Sequence, residues 1–122
     1  MSENIIEPQK IGLGKSSKAW LIKFRDENIF KDMKDAYIFS ISYALYKNIT
    51  PPLVDDLDSS IYSISQIDPN NEIYSAISCL MPEYNGPIYK MAERLADFGA
   101  SELAKLYQQG KLDIPLIVES VS

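Results

Sequence analysis

The stretch KDMKDAYIFSISYALYKN, residues 31–48, decides the fold of this chain. Its middle is apolar almost all round, and it is longer than a typical strand of about 5–6 residues. Asp32 and Asp35 lie near its start and Lys47 lies near its end, which complements the dipole of a helix. The pattern therefore predicts a central helix that is covered on several sides.

The segments on both sides of this helix carry start and stop signals. Ser16 or Ser17 is the expected N-cap of a first helix over about residues 18–27. Residues 50–52, Thr-Pro-Pro, stop the central helix because two successive prolines cannot continue it. Residues 59–67 carry apolar side chains on both alternating faces, which fits either a short strand or a turn of helix.

Two amphipathic helices are predicted in the second half of the chain. Asp68 followed by Pro69 is typical of a helix start. Apolar residues then recur at helical spacing, at Ile73, Ala76, Ile77, Leu80 and Met81. A last long helix begins near Pro87, where Gly99 is expected to kink or end it and Gly110 to follow its end.

These signals together predict a mainly α fold. We expect a single compact domain of four to five helices around residues 37–45, with at most one short strand pair. Residues 1–15 contain a proline, two glycines and few apolar side chains, so we expect a flexible N-terminal tail there. The helical domain is then predicted to span residues 16–118, and 122 residues suffice for one domain but not two.

The composition excludes several classes of function. The chain has no histidine, which is the commonest general base and transition-metal ligand, and it has a single cysteine. We therefore expect no metal site and no cofactor. The net charge of −5 disfavours direct binding of nucleic acid through its phosphates. The chain has neither a signal-peptide pattern nor a membrane-spanning apolar run, so a cytoplasmic location without membrane contact is expected.

The stretch IGLGKSSKAW, residues 11–20, resembles the end of a phosphate-binding loop at Gly14-Lys15-Ser16. Such a loop needs an earlier glycine at the position that Gln9 occupies, and it follows a buried strand. The preceding residues are too short and too polar for that strand. The stretch therefore favours a mobile lead-in to a capped helix over a nucleotide site.

Three further motifs have ordinary interpretations. The tripeptide DFG at residues 97–99 lies inside a helical pattern and lacks the other kinase motifs, so it is a chance match. Cys79 has no histidine to activate it and is predicted to be a small buried side chain. Asp55, Asp56 and Asp58 lack the glycine and glutamate of a calcium loop, which favours a solvated acidic loop.

The acidic residues also support two alternative functions. Asp32 and Lys34, with Asp26 upstream, match the residue types of a small metal-dependent nuclease, although they open a helix instead of lying on a strand hairpin. Residues 55–58 and nearby acids would suit a DNA-mimicking or regulatory protein that binds a basic partner.

Tyrosine is the residue type that points most directly to binding. The chain has eight tyrosines and one tryptophan, and tyrosine is common where an apolar surface meets water, as at protein interfaces. The candidate interface consists of Tyr62, Tyr74, Tyr84, Tyr89 and Tyr107. A helical core with tyrosine hydroxyls at its rim explains the same composition, and both interpretations stay open.

Three segments resemble one bacterial family. They are FKDMKDAYIFSISYALYKN (residues 30–48), SIYSISQIDPNNEIYSAIS (residues 60–78) and MAERLADFGASEL (residues 91–103). They are similar to the small proteins associated with the Dnd system, which are encoded beside DNA phosphorothioation and restriction genes. The resemblance covers about residues 20–118. It implies an accessory component of an anti-phage system that acts through partner proteins, and it brings no catalytic residues.

The sequence therefore favours a protein that is not an enzyme. We expect a non-catalytic accessory or binding component of a bacterial DNA-modification or anti-phage defence system. Its partners are expected to be other protein components of the same system. Homo-oligomerisation stays open, and the nuclease and the acidic DNA mimic remain the alternatives.

Overall fold

The computed structural model describes residues 5–115 of the chain. In that range the fold is mainly α, with five helices and one antiparallel pair of strands, as the sequence predicts. The elements are β1 (Lys10–Gly14), α1 (Lys15–Asp26), α2 (Met33–Tyr46), β2 (Leu57–Ser63), α3 (Ile64–Ile67), α4 (Glu72–Leu80) and α5 (Ile88–Gln108). Residues 116–118 of the predicted domain and residues 1–4 of the predicted tail lie outside the described residues.

The central pair of the fold is α2 packed against α5. Tyr37 of α2 and Leu95 of α5 are both fully buried. At Gly99 the two backbones approach so closely that an added Cβ would lie 2.0 Å from the carbonyl oxygen of Ser40. The prediction that Gly99 ends the last helix is wrong, because α5 continues to Gln108. The glycine instead permits close packing of the two helices.

The ends of α2 and α5 follow the signals in the sequence. The Asp32 carboxylate accepts a hydrogen bond from Asp35 N at 2.8 Å, which caps the first turn of α2. Gly110 adopts a φ of 68° after α5. Lys111 N then donates to Leu106 O at 2.8 Å, which closes the helix as a Schellman motif does.

The N-terminal prediction is wrong for residues 10–14. They form β1, which pairs with β2 and is buried from Ile11 to Gly14. The first helix begins at Lys15, with Gly14 at the N-cap and no side-chain cap. Ser17, an expected N-cap, is instead buried and donates to Asp97 O at 3.3 Å. Long-range contacts, which no local pattern reports, hold this segment in the core.

Residues 59–67 contain both of the predicted alternatives in succession. β2 ends at Ser63, and α3 begins at Ile64 with a capping box between Ser63 and Gln66. The next helix, α4, begins at Glu72, later than the Asp68-Pro69 signal predicts. Asp68 still caps it, because its carboxylate accepts from two backbone N–H groups of the first turn of α4.

None of the helices within residues 5–115 combines the length and the apolar character needed to cross a lipid bilayer.

Candidate functional site

Two regions of the structure are candidates for a functional site, and the first is the junction of β1 and α1. Gly12 N donates to Glu93 Oε2 at 2.8 Å, and Gly14 N donates to Asp97 Oδ1 at 2.9 Å. Glu93 and Asp97 are four residues apart on α5, so both face the strand. Side chains of a helix therefore occupy the edge of β1 that faces away from β2.

A third carboxylate completes this arrangement at the start of α1. Ser16 N donates to Asp56 Oδ2 at 3.2 Å, and Lys15 N donates to Asp56 O at 3.1 Å. An anion at this position is favourable because the first N–H groups of a helix carry partial positive charge. We call Asp56, Glu93 and Asp97 the carboxylate clamp.

The carboxylate clamp explains why this stretch contains glycine. A Cβ on Gly14 would lie 2.3 Å from Asp56 Oδ1 and 2.7 Å from Asp97 Oδ1, so any side chain would displace both carboxylates. Phosphate loops use glycine for the same reason, since their backbone must approach the ligand closely. Here carboxylates of the same chain accept from the N–H groups that a phosphate loop directs at its ligand. The prediction of a mobile lead-in is wrong, because this segment is bonded to α5.

A buried tyrosine bonds to β1 beside the clamp. The Tyr37 hydroxyl donates to Gly12 O at 2.9 Å. Burial, reinforced by the negative charge of Glu93, raises the pKa of Tyr37 well above its ordinary value of 10.0. The hydroxyl therefore remains a donor at neutral pH. Glu93 itself is 3% exposed, and its second oxygen lies 3.3 Å from Lys90 Nζ.

A second buried carboxylate organises the helix starts near α4. Asp68 is 4% exposed and accepts from Ile73 N at 2.9 Å, Tyr74 N at 3.0 Å and the Tyr89 hydroxyl at 2.7 Å. Burial, followed by this hydrogen bond, raises the pKa of Tyr89 far above its ordinary value. Glu7 caps α5 in the same way, with its two oxygens 2.8 Å from Ile88 N and 2.9 Å from Tyr89 N.

The five tyrosines of the candidate interface are not equivalent. Tyr89 is buried, with 5% of its surface exposed, so it offers almost no surface to a partner. Tyr62 packs edge-on against Tyr37, with ring centroids 5.3 Å apart. Tyr107 donates to Glu27 at 2.6 Å and contacts aromatic rings of α1. Each of these contacts belongs to the core or its rim.

The two remaining tyrosines lie toward the outside of the molecule. Tyr74 on α4 is 38% exposed, and its ring lies 5.6 Å from that of Tyr89. Tyr84 is half-buried and donates to Pro87 O at 2.9 Å. The structure therefore divides the predicted set instead of joining it into one surface.

The acidic residues of the two alternative functions are also separated. Asp26 pairs with Arg25 at 3.1 Å at the end of α1, whereas Asp32 caps α2. In the acidic loop, Asp56 belongs to the clamp and Asp58 lies 3.7 Å from Lys18. Among residues 5–115, no group of three or more acidic or cysteine side chains is arranged to hold a metal ion.

The second unusual region is a groove between the C-terminal ends of α2 and α4. We call it the apolar groove, and its volume is about 510 Å³. Ile49 and Leu80 at its mouth are 47% and 58% exposed. Its walls include Leu45, Met81 and Tyr84, and the fully buried Met91 of α5 lies at its base.

The apolar groove is open because α4 is short. Of the predicted apolar stripe, Ile77 is buried on the core, but Leu80 in the last turn is exposed. Cys79 is also exposed, so the prediction that it is buried is wrong. A nine-residue helix reaches α5 with part of its apolar face and leaves the rest without cover.

Sequence reasoning missed the apolar groove, although two signals were present. The stripe of α4 continues to Leu80 and Met81 directly before a proline, and Ile49 follows the end of α2. Both signals place apolar side chains at or just beyond a helix end.

Comparisons with known proteins found no family model, no curated protein and no solved structure that matches this chain.

Proposed function

We propose that this chain is a non-catalytic accessory component of a bacterial DNA-modification or anti-phage system, and that it binds a protein partner through the apolar groove. The observation that carries the proposal is the exposure of Ile49 and Leu80 at the mouth of a groove whose base is the buried Met91. Apolar side chains at the mouth of a groove leave water when a partner binds there, and this burial favours association.

The shape of the groove suits a protein ligand. Apolar side chains from two helix ends line it together with Asn48, Thr50 and Glu83, so a partner can insert one or two apolar side chains and remove them from water. Met81 and Met91 are flexible and polarisable, which lets the walls adapt to the inserted group.

The assignment to a DNA-modification or defence system rests on the resemblance of residues 30–48, 60–78 and 91–103 to the Dnd-associated proteins. The binding role rests on the groove and does not depend on that resemblance. The partner is expected among the protein components encoded beside the chain.

The test is co-purification of the tagged chain with the products of its neighbouring genes. Leu80→Asp is expected to weaken recovery of a partner at least about tenfold, because it places a charge at the centre of an apolar contact. Leu53→Asp is the matched control, since Leu53 is 76% exposed and does not line the groove.

Circular dichroism of both variants must show the wild-type melting curve for the comparison to hold. Undiminished recovery with Leu80→Asp would refute binding through the groove. Cleavage of DNA or hydrolysis of ATP by the purified chain with magnesium would refute the non-catalytic role.

A further inference from the structure

The connection between α4 and α5 contains an asparagine directly before a glycine. We propose that Asn85 is a site of spontaneous deamidation, at which its side-chain amide is converted to aspartate or isoaspartate. Asn85 is exposed, and Gly86 separates it from Pro87, the N-cap residue of α5. The inference concerns the chemistry of this turn and does not depend on the proposed function.

The reaction needs only these two neighbouring residues and water. The backbone nitrogen of Gly86 gives up its proton and attacks the side-chain carbonyl carbon of Asn85, and the new bond closes a cyclic imide. The bond from that carbon to the amide nitrogen breaks, and the amide nitrogen leaves with the proton as ammonia. Water then opens the imide at either of its carbonyl groups, which gives aspartate or isoaspartate.

The turn requires the glycine at position 86. A Cβ added there would overlap the Tyr84 hydroxyl, which donates to Pro87 O at 2.9 Å. A residue with a side chain would therefore disturb the bond that closes this turn. The same requirement places after Asn85 the residue type that obstructs attack on its side chain least.

The reacting groups are also free of competing hydrogen bonds. In the part of the chain that the structure describes, neither the Asn85 side chain nor Gly86 N forms a hydrogen bond. A nitrogen held in a hydrogen bond must lose its acceptor before it can attack, and that loss costs free energy. Gly86 N therefore attacks without this cost.

The other asparagines within residues 5–115 lack this combination. Asn28 and Asn48 are each followed by isoleucine, whose β-branched side chain crowds the attacking nitrogen. Asn70 is followed by Asn71, whose N–H donates to Asp68 O at 3.2 Å. Asn71 itself directly precedes α4, so the peptide after it is held by the first turn of a helix. Sequence and structure together therefore select Asn85.

Conversion of Asn85 changes the turn as well as its charge. In isoaspartate the chain continues through the side-chain carbons, so the backbone between Tyr84 and Pro87 becomes longer by a methylene group. The Tyr84 hydroxyl and Pro87 O, which bond at 2.9 Å, lie on the two sides of this insertion. We expect their bond to weaken, and the effect reaches the apolar groove because Tyr84 is one of its walls.

The test is ageing of the wild-type chain near neutral pH, followed by peptide mapping in a mass spectrometer. We expect the amide of Asn85 to be lost about tenfold or more faster than those of Asn28 and Asn48, a difference of about 1.4 kcal/mol in activation free energy. The rate should rise with pH, because the attacking nitrogen must lose its proton. Fragment masses should identify isoaspartate among the products.

Asn85→Gln is the matched control. Glutamine keeps an exposed amide, but its reaction must close a larger and less favourable ring, so loss of the amide at position 85 should fall about tenfold or more. The NMR signals of the Tyr84 ring should change during ageing of the wild type and stay constant in Asn85→Gln.

Three outcomes would overturn parts of this account. Loss of the Asn85 amide no faster than that of Asn28 and Asn48 would refute the proposed site. Aspartate as the sole product would refute the imide route, because opening of the imide gives both products. Constant Tyr84 signals in a chain shown to contain isoaspartate would refute the effect on the turn.

Discussion

The carboxylate clamp and the apolar groove differ in how their side chains are used. In the clamp, Asp56, Glu93 and Asp97 satisfy backbone N–H groups at β1 and the start of α1. In the groove, the apolar side chains of Ile49 and Leu80 remain in contact with water. The difference teaches that residue type does not by itself separate structure from function here. In the sequence, acidic residues suggest a charged surface, yet the clamp carboxylates accept hydrogen bonds from the backbone of β1 and α1. The apolar stripe of α4 suggests a core position, yet its end is exposed at Leu80.

The contrast extends to stability. An unsatisfied buried N–H group costs about 1–3 kcal/mol, so the buried bond from Gly12 N to Glu93 contributes most to folding, and the exposed bond to Asp56 contributes least. An exposed apolar side chain contributes little to folding and is available for binding. Substitutions in the clamp should therefore lower the free energy of unfolding, whereas substitutions at the exposed groove residues should change it little. Four predictions test this difference.

The largest effect is expected at Gly99, on the helix that supports both regions. Gly99→Val would place side-chain atoms against the Ser40 carbonyl, where a Cβ alone lies 2.0 Å away. We expect a loss of about 3 kcal/mol or more in the free energy of unfolding, because the α2–α5 contact must separate. Urea denaturation measures it. Ala19→Val on the exposed face of α1 is the control, and equal stability of the two variants would contradict this account.

Glu93 tests the clamp directly. Glu93→Ala leaves Gly12 N without its acceptor in a buried position, so we expect a loss of about 1–3 kcal/mol. Glu93→Gln keeps an acceptor oxygen and should recover part of this loss. Denaturant titration gives the free energies, and hydrogen exchange at Gly12 should accelerate in the alanine variant. An alanine variant as stable as the wild type would show that Glu93 does not stabilise the fold.

Buried tyrosines should make the fold sensitive to alkali. Tyr37 and Tyr89 have pKa values raised above the ordinary 10.0, so above pH 10 the unfolded chain loses their protons while the native chain keeps them. Stability is then unaffected below pH 10 and falls above it, by up to about 1.4 kcal/mol per pH unit for each tyrosine. Tyr89→Phe should make the fall less steep than in the wild type. An unchanged slope would contradict the burial of Tyr89.

The smallest effect on stability is expected in the groove. Leu80→Ala should change the free energy of unfolding by less than about 1 kcal/mol, because Leu80 is 58% exposed. Leu95→Ala, at a fully buried position of α5, should cost about 2–5 kcal/mol. Thermal denaturation of the pair checks both. A large loss at Leu80 would mean that the groove belongs to the core.

The sequence predicted the parts of the fold that depend on local signals. Asp32 at the start of α2 and Gly110 after α5 act through neighbouring residues, so spacing alone locates them. β1 was missed because its burial depends on Glu93 and Asp97, about 80 residues away in the chain. In the sequence, β1 is short and its neighbours are polar, so it resembles a tail. Only its packing against α5 reveals that it is buried.

The candidate site was predictable only in its residue types. The number of tyrosines does not show which of them are exposed. Tyr74 lies on the surface, whereas Tyr89 lies in the core, where its hydroxyl donates to the buried carboxylate of Asp68. Cys79 was expected to be buried because the stripe of α4 was assumed to be covered along its whole length. The groove depends on where two helices end relative to each other, and that relation has no local signature.

The bond between Gly14 and Asp97 has a consequence for the order of events during synthesis. The two residues are 83 positions apart, so a ribosome adding about 5–20 residues per second completes β1 about 4–17 s before it completes their contact. During that interval the glycine-containing strand has one edge without its acceptors. The nascent chain must therefore keep β1 from other pairings until its last helix emerges, and final closure of the domain waits for that helix.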